Sequence, residues 1–267
     1  MNQRASNWGV LAELMREHNV VAAMVQEAVA PLTGCDHGLR VFTDPSLLED
    51  PWQMPVPTVR RNFASAIAVR GDVYVDRWTP APIGKAEYSK PAISHQGQWV
   101  AIGLGEPDDR VWIVSLYGLW ETMPDTKDIF AQATLHRALS DLSLLFQAKA
   151  TKQVVVAGDL NIWLGYGNKK WEPGYRSVFD RFEAYGFTLA GPRRAKGAPL
   201  EGCPCCGGDR CLHVRTYRHQ HSASSIPYQN DYAFVRGVGQ AACVALDDER
   251  NWQHSDHCPI LIEFNGV

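Results

Sequence analysis

The sequence predicts a single mixed-sheet α/β domain over residues 1–267, because strand-like and helix-like segments are interspersed and several strand-like segments follow one another directly. A chain of 267 residues is long enough for a sizeable core. Its hydrophobic fraction of 45% and charged fraction of 21% are typical of a globular protein. These values exclude disorder, collagen and coiled coil as descriptions of the whole chain.

Apolar residues at helical spacing predict helices over 6–17, 128–150 and 175–185. Ser6 or Asn7 is placed to cap the first helix. In the longest of the three segments, the apolar side chains that share one face are Leu135, Leu139, Leu142 and Phe146.

Short apolar runs predict the strands. The first run, 20–25, is wholly apolar and predicts a strand that is buried on both faces. Further strands are predicted over 64–70, 73–76, 99–104, 111–117, 153–157, 187–190, 231–235 and 259–264. Between the runs 20–25 and 64–70, prolines interrupt residues 42–62. This pattern predicts that the segment is a loop that crosses the surface.

The charge balance and the chain's apolar runs limit the partners. A net charge of −3 creates no global positive field, so a nucleic-acid substrate would need a local basic patch or a metal ion. No stretch approaches the roughly 18 apolar residues of a membrane span, and the N-terminus lacks the apolar core of a secretory signal. A cytoplasmic location is therefore expected, and no protein partner is predicted.

Acidic residues gather where predicted strands begin or end. The residues concerned are Glu27, Asp159, Asp231 and Asp256, with Asn161 and His257 beside them. Carboxylates brought together in this way repel one another unless a hard cation neutralises them, which favours Mg²⁺ or Mn²⁺. Each element alone also has a structural interpretation: a strand-end glutamate, a Gly-Asp turn at 158–159, or a turn before Pro259.

The order of these motifs resembles the endonuclease/exonuclease/phosphatase superfamily from about residue 8 to the C-terminus. The matching pieces are Met24–Glu27 (Met-Val-Gln-Glu), the strand into Ser115–Tyr117, Val155–Asn161 (Val-Val-Ala-Gly-Asp-Leu-Asn), Asn230–Val235 (Asn-Asp-Tyr-Ala-Phe-Val) and Ser255–Pro259 (Ser-Asp-His-Cys-Pro). The resemblance implies a four-layer sandwich, two mixed β-sheets face to face with helices outside. It also implies metal-dependent hydrolysis of a phosphate ester.

By position, the resemblance gives each site residue a role. Glu27 and Asp256 are similar to the family's metal carboxylates, and Asp159 to the residue that orients or deprotonates the attacking water. Asn161 is similar to a ligand of the phosphoryl oxygens. The pair Asp231 and His257 resembles a carboxylate–imidazole pair, and such a carboxylate fixes the tautomer of its histidine and favours the imidazolium.

The chain departs from the family pattern in two places. Tyr117 stands where the family has a phosphate-contacting Tyr or His, but Gly118 follows it instead of the Val-Pro-Asn of abasic-site endonucleases. A strand-end aromatic is the other interpretation of Tyr117. The family also opens with a strand that ends in Trp-Asn, and a helix from residue 6 leaves no room for that edge strand.

A cysteine-rich loop over 202–213 lies outside the family pattern. The spacing of its possible zinc ligands predicts either a structural Zn²⁺ site or a reduced cysteine loop: Cys203, Cys206, Cys211 and His213. Seven cysteines, four of them within 203–211, make a disulfide framework an improbable alternative.

The resulting hypothesis is a divalent-metal-dependent phosphodiesterase, with nucleic acid favoured as substrate because arginines flank the cysteine loop. These basic residues are Arg193, Arg194, Lys196, Arg210, Arg215 and Arg218. The alternatives are a phosphomonoesterase or lipid phosphodiesterase on the same fold, or an inactive binding module if the first strand is absent. Surface solubility is the other interpretation of the arginines.

Overall fold

The structure, a computed structural model, describes residues 5–31, 37–44, 63–78, 93–122, 129–164, 170–194, 200–203, 211–219 and 227–265. The chain divides into two compact units. Unit 1 comprises 1–117, 137–158 and 266–267, and unit 2 comprises 118–136 and 159–265. No helix in the described ranges is both long and apolar enough to cross a membrane.

Helices and strands are interspersed along the chain. The helices are α1 (Asn7–Glu17), α2 (Gln132–Asp141), α3 (Ser143–Gln147), α4 (Glu172–Ala184) and α5 (Glu249–Trp252). The strands are β1 (Ala22–Ala28), β2 (Leu39–Thr43), β3 (Ala64–Arg70), β4 (Val75–Arg77), β5 (Trp99–Leu104), β6 (Val111–Leu116), β7 (Glu121–Thr122), β8 (Ile129–Phe130), β9 (Gln153–Asp159), β10 (Thr188–Gly191), β11 (Asp231–Arg236), β12 (Ala241–Ala245) and β13 (Ile260–Phe264).

Unit 1 packs two sheets against each other. Strands β1, β3 and β2 form an antiparallel sheet with β3 in the centre. In the second sheet, β4, β5 and β6 are antiparallel and β9 runs parallel to β6. Between the sheets, Gln26 Nε2 donates a hydrogen bond of 2.9 Å to Ser115 Oγ. Helix α1 covers the outer face of the first sheet, where Trp8 and Met15 pack against Val25.

Unit 2 pairs β10 with β11 and β12 with β13, both antiparallel. Helix α4 packs on β11 through aromatic side chains. The rings of Phe182 and Phe234 stack with centroids 3.9 Å apart, and Phe179 meets the edges of Tyr232 and Phe234. In unit 2, as in unit 1, a helix therefore packs on a β-sheet. The predicted mixed-sheet α/β class is confirmed.

Most predicted elements are confirmed within one to three residues, and four details are wrong. Strand β1 begins at Ala22 instead of 20 and is only partly buried. The predicted helix 128–150 is two helices that part at Leu142, although its apolar face is buried as expected. Ser6 makes no side-chain cap at α1. The start of the predicted surface loop, residues 42–43, is the end of β2.

Strand β2 and strand β12 were not predicted: the residues of β2 do not alternate strictly between apolar and polar, and β12, Ala-Ala-Cys-Val-Ala, is a short run of mostly small residues with no alternation. In the described ranges no strand precedes α1, and residues 1–4 lie outside them, as does the rest of the proline-interrupted segment, 45–62. The single-domain interpretation of 1–267 stays a prediction.

Candidate active site

In unit 1, the strand β1 places Glu27 in an unusual backbone conformation. Its φ is 51°, in the left-handed region, and the register of β1 with β3 shifts between Val25 and Ala28. A non-glycine residue in this region costs about 1–3 kcal/mol, and such residues concentrate at functional sites. The bulge turns the carboxylate out of the regular alternation of the strand.

Tyr117, which directly follows β6, holds that carboxylate. Its hydroxyl donates a hydrogen bond of 2.7 Å to Glu27 Oε1, and its ring is buried against the edge of Phe63. Among the described residues, the other carboxylate oxygen of Glu27 accepts no hydrogen bond. The structure therefore brings together two residues that the sequence placed 90 positions apart.

Two glycines let the chain segments around Asp159 approach closely. A Cβ on Gly158 would lie 2.0 Å from the Leu116 carbonyl oxygen, and Gly158 has φ 154°. A Cβ on Gly118 would lie 2.0 Å from the Leu160 carbonyl oxygen. Gly158 lies inside β9, so the interpretation of Gly158-Asp159 as a turn is wrong. The glycine is needed for close backbone contact.

Asp159 and Asn161 form a local hydrogen-bonded loop after β9. Asp159 Oδ1 accepts a bond of 2.8 Å from the Asn161 backbone N–H, and Asn161 Nδ2 donates at 2.9 Å to the Gly118 carbonyl. Asn161 also has a left-handed φ of 50°. Both side chains are buried. An amide group carries two N–H bonds, and within the described residues one N–H of Asn161 makes no hydrogen bond.

His257 lies between two carboxylates of unit 2. Its Nδ1 is 2.8 Å from Asp231 Oδ2, and its Nε2 is 3.7 Å from Asp159 Oδ2. The carboxylates are nearly buried, with 9% and 8% of their side chains exposed, whereas 24% of the His257 side chain is exposed. At 3.7 Å, Nε2 is attracted to Asp159 but shares no direct hydrogen bond with it.

The charges around His257 favour its imidazolium. Burial opposes protonation, but the carboxylates of Asp231, Asp159 and Asp256, together with the Asp231 hydrogen bond, raise the pKa of His257 to about 10. Both ring nitrogens face carboxylates, so the imidazolium neutralises one of the two negative charges in this cluster of three side chains: Asp159, Asp231 and His257. We call them the Asp–His cluster.

The sequence did not predict two residues that contact this cluster, Thr216 and Tyr217. Thr216 is fully buried, and its Oγ1 accepts hydrogen bonds from the backbone N–H groups of Asn230 (3.0 Å) and Asp231 (3.1 Å). The ring of Tyr217 lies 4.8 Å from that of His257. Neither residue belongs to a motif with a fixed spacing, so the sequence carried no signal for them.

Arg218, one of the arginines predicted to contact phosphate, has a structural role instead. It is buried, and its guanidinium makes two hydrogen bonds, of 3.0 and 2.7 Å, to the carboxylate of Glu249. It also lies 4.2 Å from the centre of the Trp252 ring. Its backbone N–H donates to the Asp256 carbonyl at 2.8 Å, which fixes the segment beside His257. Lys196 and Arg210 lie outside the described residues.

The predicted ligand set of the cysteine loop is partly described. Cys203, Cys211 and His213 have their ligand atoms within 4.8 Å of one another, and we call them the Cys–His cluster. Cys206, the fourth predicted ligand, lies outside the described residues.

Solved structures share this fold. The endonuclease domain of TRAS1, a telomere-specific non-LTR retrotransposon, matches with a TM-score of 0.60 and 16% identity over 98% of this chain and 94% of that one. The AP endonuclease LMAP from Leishmania major matches with a TM-score of 0.60 and 14% identity over 98% and 83%. The chain has the endonuclease/exonuclease/phosphatase fold.

A further structure with this fold is an endonuclease/exonuclease/phosphatase protein from Bacteroides vulgatus, with a TM-score of 0.58 and 11% identity over 97% of this chain and 90% of that one. The sequence itself matches no protein-family model and no curated protein. The predicted α/β sandwich of mixed sheets with flanking helices is thereby confirmed, at identities that bear on fold alone.

Proposed function

We propose that this protein is a divalent-metal-dependent phosphodiesterase that acts on nucleic acid. The observation that carries the proposal is the Asp–His cluster: a partly exposed histidine that hydrogen-bonds one buried carboxylate and faces a second. A positive imidazole edge beside a carboxylate suits a reaction in which water attacks the phosphorus atom of a phosphate ester, whose oxygens already carry negative charge.

The donor chemistry of Glu27 fits a hard cation, and Asp256 is proposed as a metal carboxylate from its sequence motif. Both offer carboxylate oxygens, which Mg²⁺ and Mn²⁺ prefer. Tyr117 holds one oxygen of Glu27 and leaves the other open. A bound cation would supply charge neutralisation for the phosphoryl oxygens.

The remaining steps belong to the chain's own residues. Asp159 orients a water and takes its proton as the water oxygen bonds to phosphorus. The bond from phosphorus to the leaving oxygen then breaks, and that oxygen takes a proton from solvent. His257 Nε2 and the second N–H of Asn161 donate to the phosphoryl oxygens. Asp231 keeps the His257 ring oriented and charged throughout.

Nucleic acid is the favoured substrate for two reasons. Two of the structures with this fold are described as endonucleases, TRAS1 and LMAP. In this chain, Arg193 and the ring of Trp120 are exposed, and both groups suit contact with a backbone phosphate or a base.

The test is hydrolysis of bis(p-nitrophenyl) phosphate beside the p-nitrophenyl monoester, with Mg²⁺, with Mn²⁺ and with EDTA. We expect metal-dependent diester cleavage that His257→Ala lowers by about 10²–10³-fold, the usual cost of removing one hydrogen-bond donor that stabilises transition-state charge. His18→Ala, at the end of α1, is the matched control and should retain activity.

Single-stranded and duplex DNA and RNA follow as substrates for the active protein. Preference for the monoester would place the protein among phosphomonoesterases. Equal activity of the wild type and His257→Ala would overturn the proposed site.

A further inference from the structure

The Cys–His cluster has the dimensions of a metal site. The sulfur atoms of Cys203 and Cys211 lie 3.5 and 3.7 Å from the same ring nitrogen, His213 Nδ1. Tetrahedral Zn²⁺ with bonds of about 2.3 Å to sulfur and about 2.0–2.1 Å to nitrogen requires a separation of about 3.5 Å between those ligand atoms. The observed separations agree with that value.

Hydrogen bonding explains this convergence poorly. A neutral imidazole has one lone pair on its unprotonated nitrogen, so Nδ1 can accept well from only one thiol. Two sulfur atoms aimed at one nitrogen are instead what a shared cation produces. Within the described ranges these cysteines form no disulfide, and thiolate and imidazole together are a donor set that suits Zn²⁺.

The surroundings of His213 keep its ring in place. The imidazole hydrogen-bonds to the backbone of Leu164, and the Trp163 ring packs edge-on at 5.7 Å between centroids. A ligating histidine whose other ring nitrogen is held by a backbone group has a fixed tautomer and orientation.

We propose that Cys203, Cys211 and His213 bind a structural Zn²⁺ ion. Cys206, predicted as a fourth ligand from its C-x-x-C spacing, lies outside the described residues. Thiolate and imidazole ligands together are typical of structural zinc sites. The proposal does not depend on the proposed phosphodiesterase function.

The position of the cluster indicates which segment a bound Zn²⁺ ion would stabilise. His213 begins the segment 213–218, whose backbone is tied to Tyr228 through Thr216 and Tyr217 and to Asp256 through Arg218. Thr216 in turn holds the start of β11, where Asp231 lies. Fixing the head of this segment therefore stabilises the support beneath the Asp–His cluster.

The first experiment measures metal content in the full chain. The protein is produced in zinc-supplemented medium, gel-filtered in metal-depleted buffer and assayed by inductively coupled plasma mass spectrometry. We expect about one zinc per chain, retained by wild type and lost from Cys203→Ser and His213→Ala. Cys243→Ser is the matched control, since Cys243 is a buried cysteine of the same unit that belongs to neither cluster.

Cobalt provides a readout that does not require the variants to be stable. Wild type reconstituted with Co²⁺ should show thiolate-to-metal charge transfer and the visible absorption of a tetrahedral site, and Zn²⁺ should displace both. Circular dichroism checks that each variant is folded. His257→Ala should bind zinc as wild type does, so loss of catalysis and loss of zinc are separate results.

Wild type with no bound zinc and no cobalt spectrum would overturn the proposal. So would a folded Cys203→Ser protein that keeps one zinc per chain. If Cys206→Ser alone retains the metal, the fourth ligand is wrong while the three-residue core stands, and repeating the assay with Cys205→Ser identifies its replacement.

Discussion

His257 and His213, two histidines of unit 2, have opposite surroundings. His257 faces two carboxylates, at 2.8 and 3.7 Å, and its pKa rises to about 10. His213 faces two thiols at one nitrogen, and burial lowers its pKa. The first is therefore suited to present a positive charge to a phosphate, and the second to lend a lone pair to a metal. The same side chain is thus directed to two kinds of chemistry by its neighbours alone.

The difference extends to how each cluster is built. The Asp–His cluster draws its members from the ends of three widely separated segments, whereas the Cys–His cluster lies within eleven consecutive residues, 203–213. The first depends on the packing of β9, β11 and the segment before β13. We expect the Cys–His cluster to depend mainly on the proposed Zn²⁺ ion, because a short loop rich in glycine has little apolar surface of its own to bury.

The largest expected effect comes from breaking the Asp–His cluster alone. Asp231→Asn keeps the shape of the side chain but removes the charge that orients and protonates His257. We expect diester hydrolysis to fall by about 10²–10⁴-fold, with zinc content unchanged, measured by steady-state kinetics and mass spectrometry. Asp248→Asn, in the turn before α5, is the control. A loss below threefold would contradict the role given to the pair.

A backbone substitution tests whether the Asp–His cluster depends on strand packing. Gly158→Ala would put a methyl group 2.0 Å from the Leu116 carbonyl oxygen. We expect unfolding free energy to fall by about 3 kcal/mol and activity to fall with it. Urea denaturation measures the first. Gly71→Ala is a useful control, because Gly71 also has a positive φ but no heavy atom within 4 Å of the added carbon. Equal losses in the two variants would remove the packing argument.

Thr216 connects the two clusters, and its removal gives an intermediate effect. Thr216→Val leaves the N–H groups of Asn230 and Asp231 without their buried acceptor. Stability should fall by about 1–3 kcal/mol. Diester activity should decline while zinc remains bound. Thr216→Ser restores the hydroxyl and should recover most of both quantities; failure of serine to rescue would assign the effect to packing.

The smallest expected effect concerns the carboxylate in unit 1. Tyr117→Phe removes one hydrogen bond to Glu27 and keeps the buried ring. A bond to a charged group contributes about 1.5–3 kcal/mol, and part of it is replaced by water or cation, so we expect at most about a tenfold fall in diester activity. The apparent affinity for Mg²⁺ should weaken in the same titration. Glu27→Gln should lower diester activity much more. Glu13→Gln, at an exposed position of α1, should leave the activity unchanged.

Amino-acid patterns predict most helices and strands and point to the residues of the Asp–His cluster. Apolar periodicity placed α1, α4 and most strands because burial imposes a local repeat on every element. The Gly-Asp-Leu-Asn and Ser-Asp-His-Cys-Pro motifs pointed to Asp159 and His257 before any geometry was known. The roles assigned to these residues in catalysis stay predictions.

Which of these side chains contact one another is visible only in the tertiary structure. The pairing of His257 with Asp231, the hydrogen bond from Tyr117 to Glu27 and the burial of Arg218 against Glu249 join residues 26, 90 and 31 positions apart. Such contacts depend on the packing of whole elements and leave no periodic trace in the sequence. For the same reason, the left-handed conformation of Glu27 was invisible there: it is a strain that only surrounding structure can hold in place.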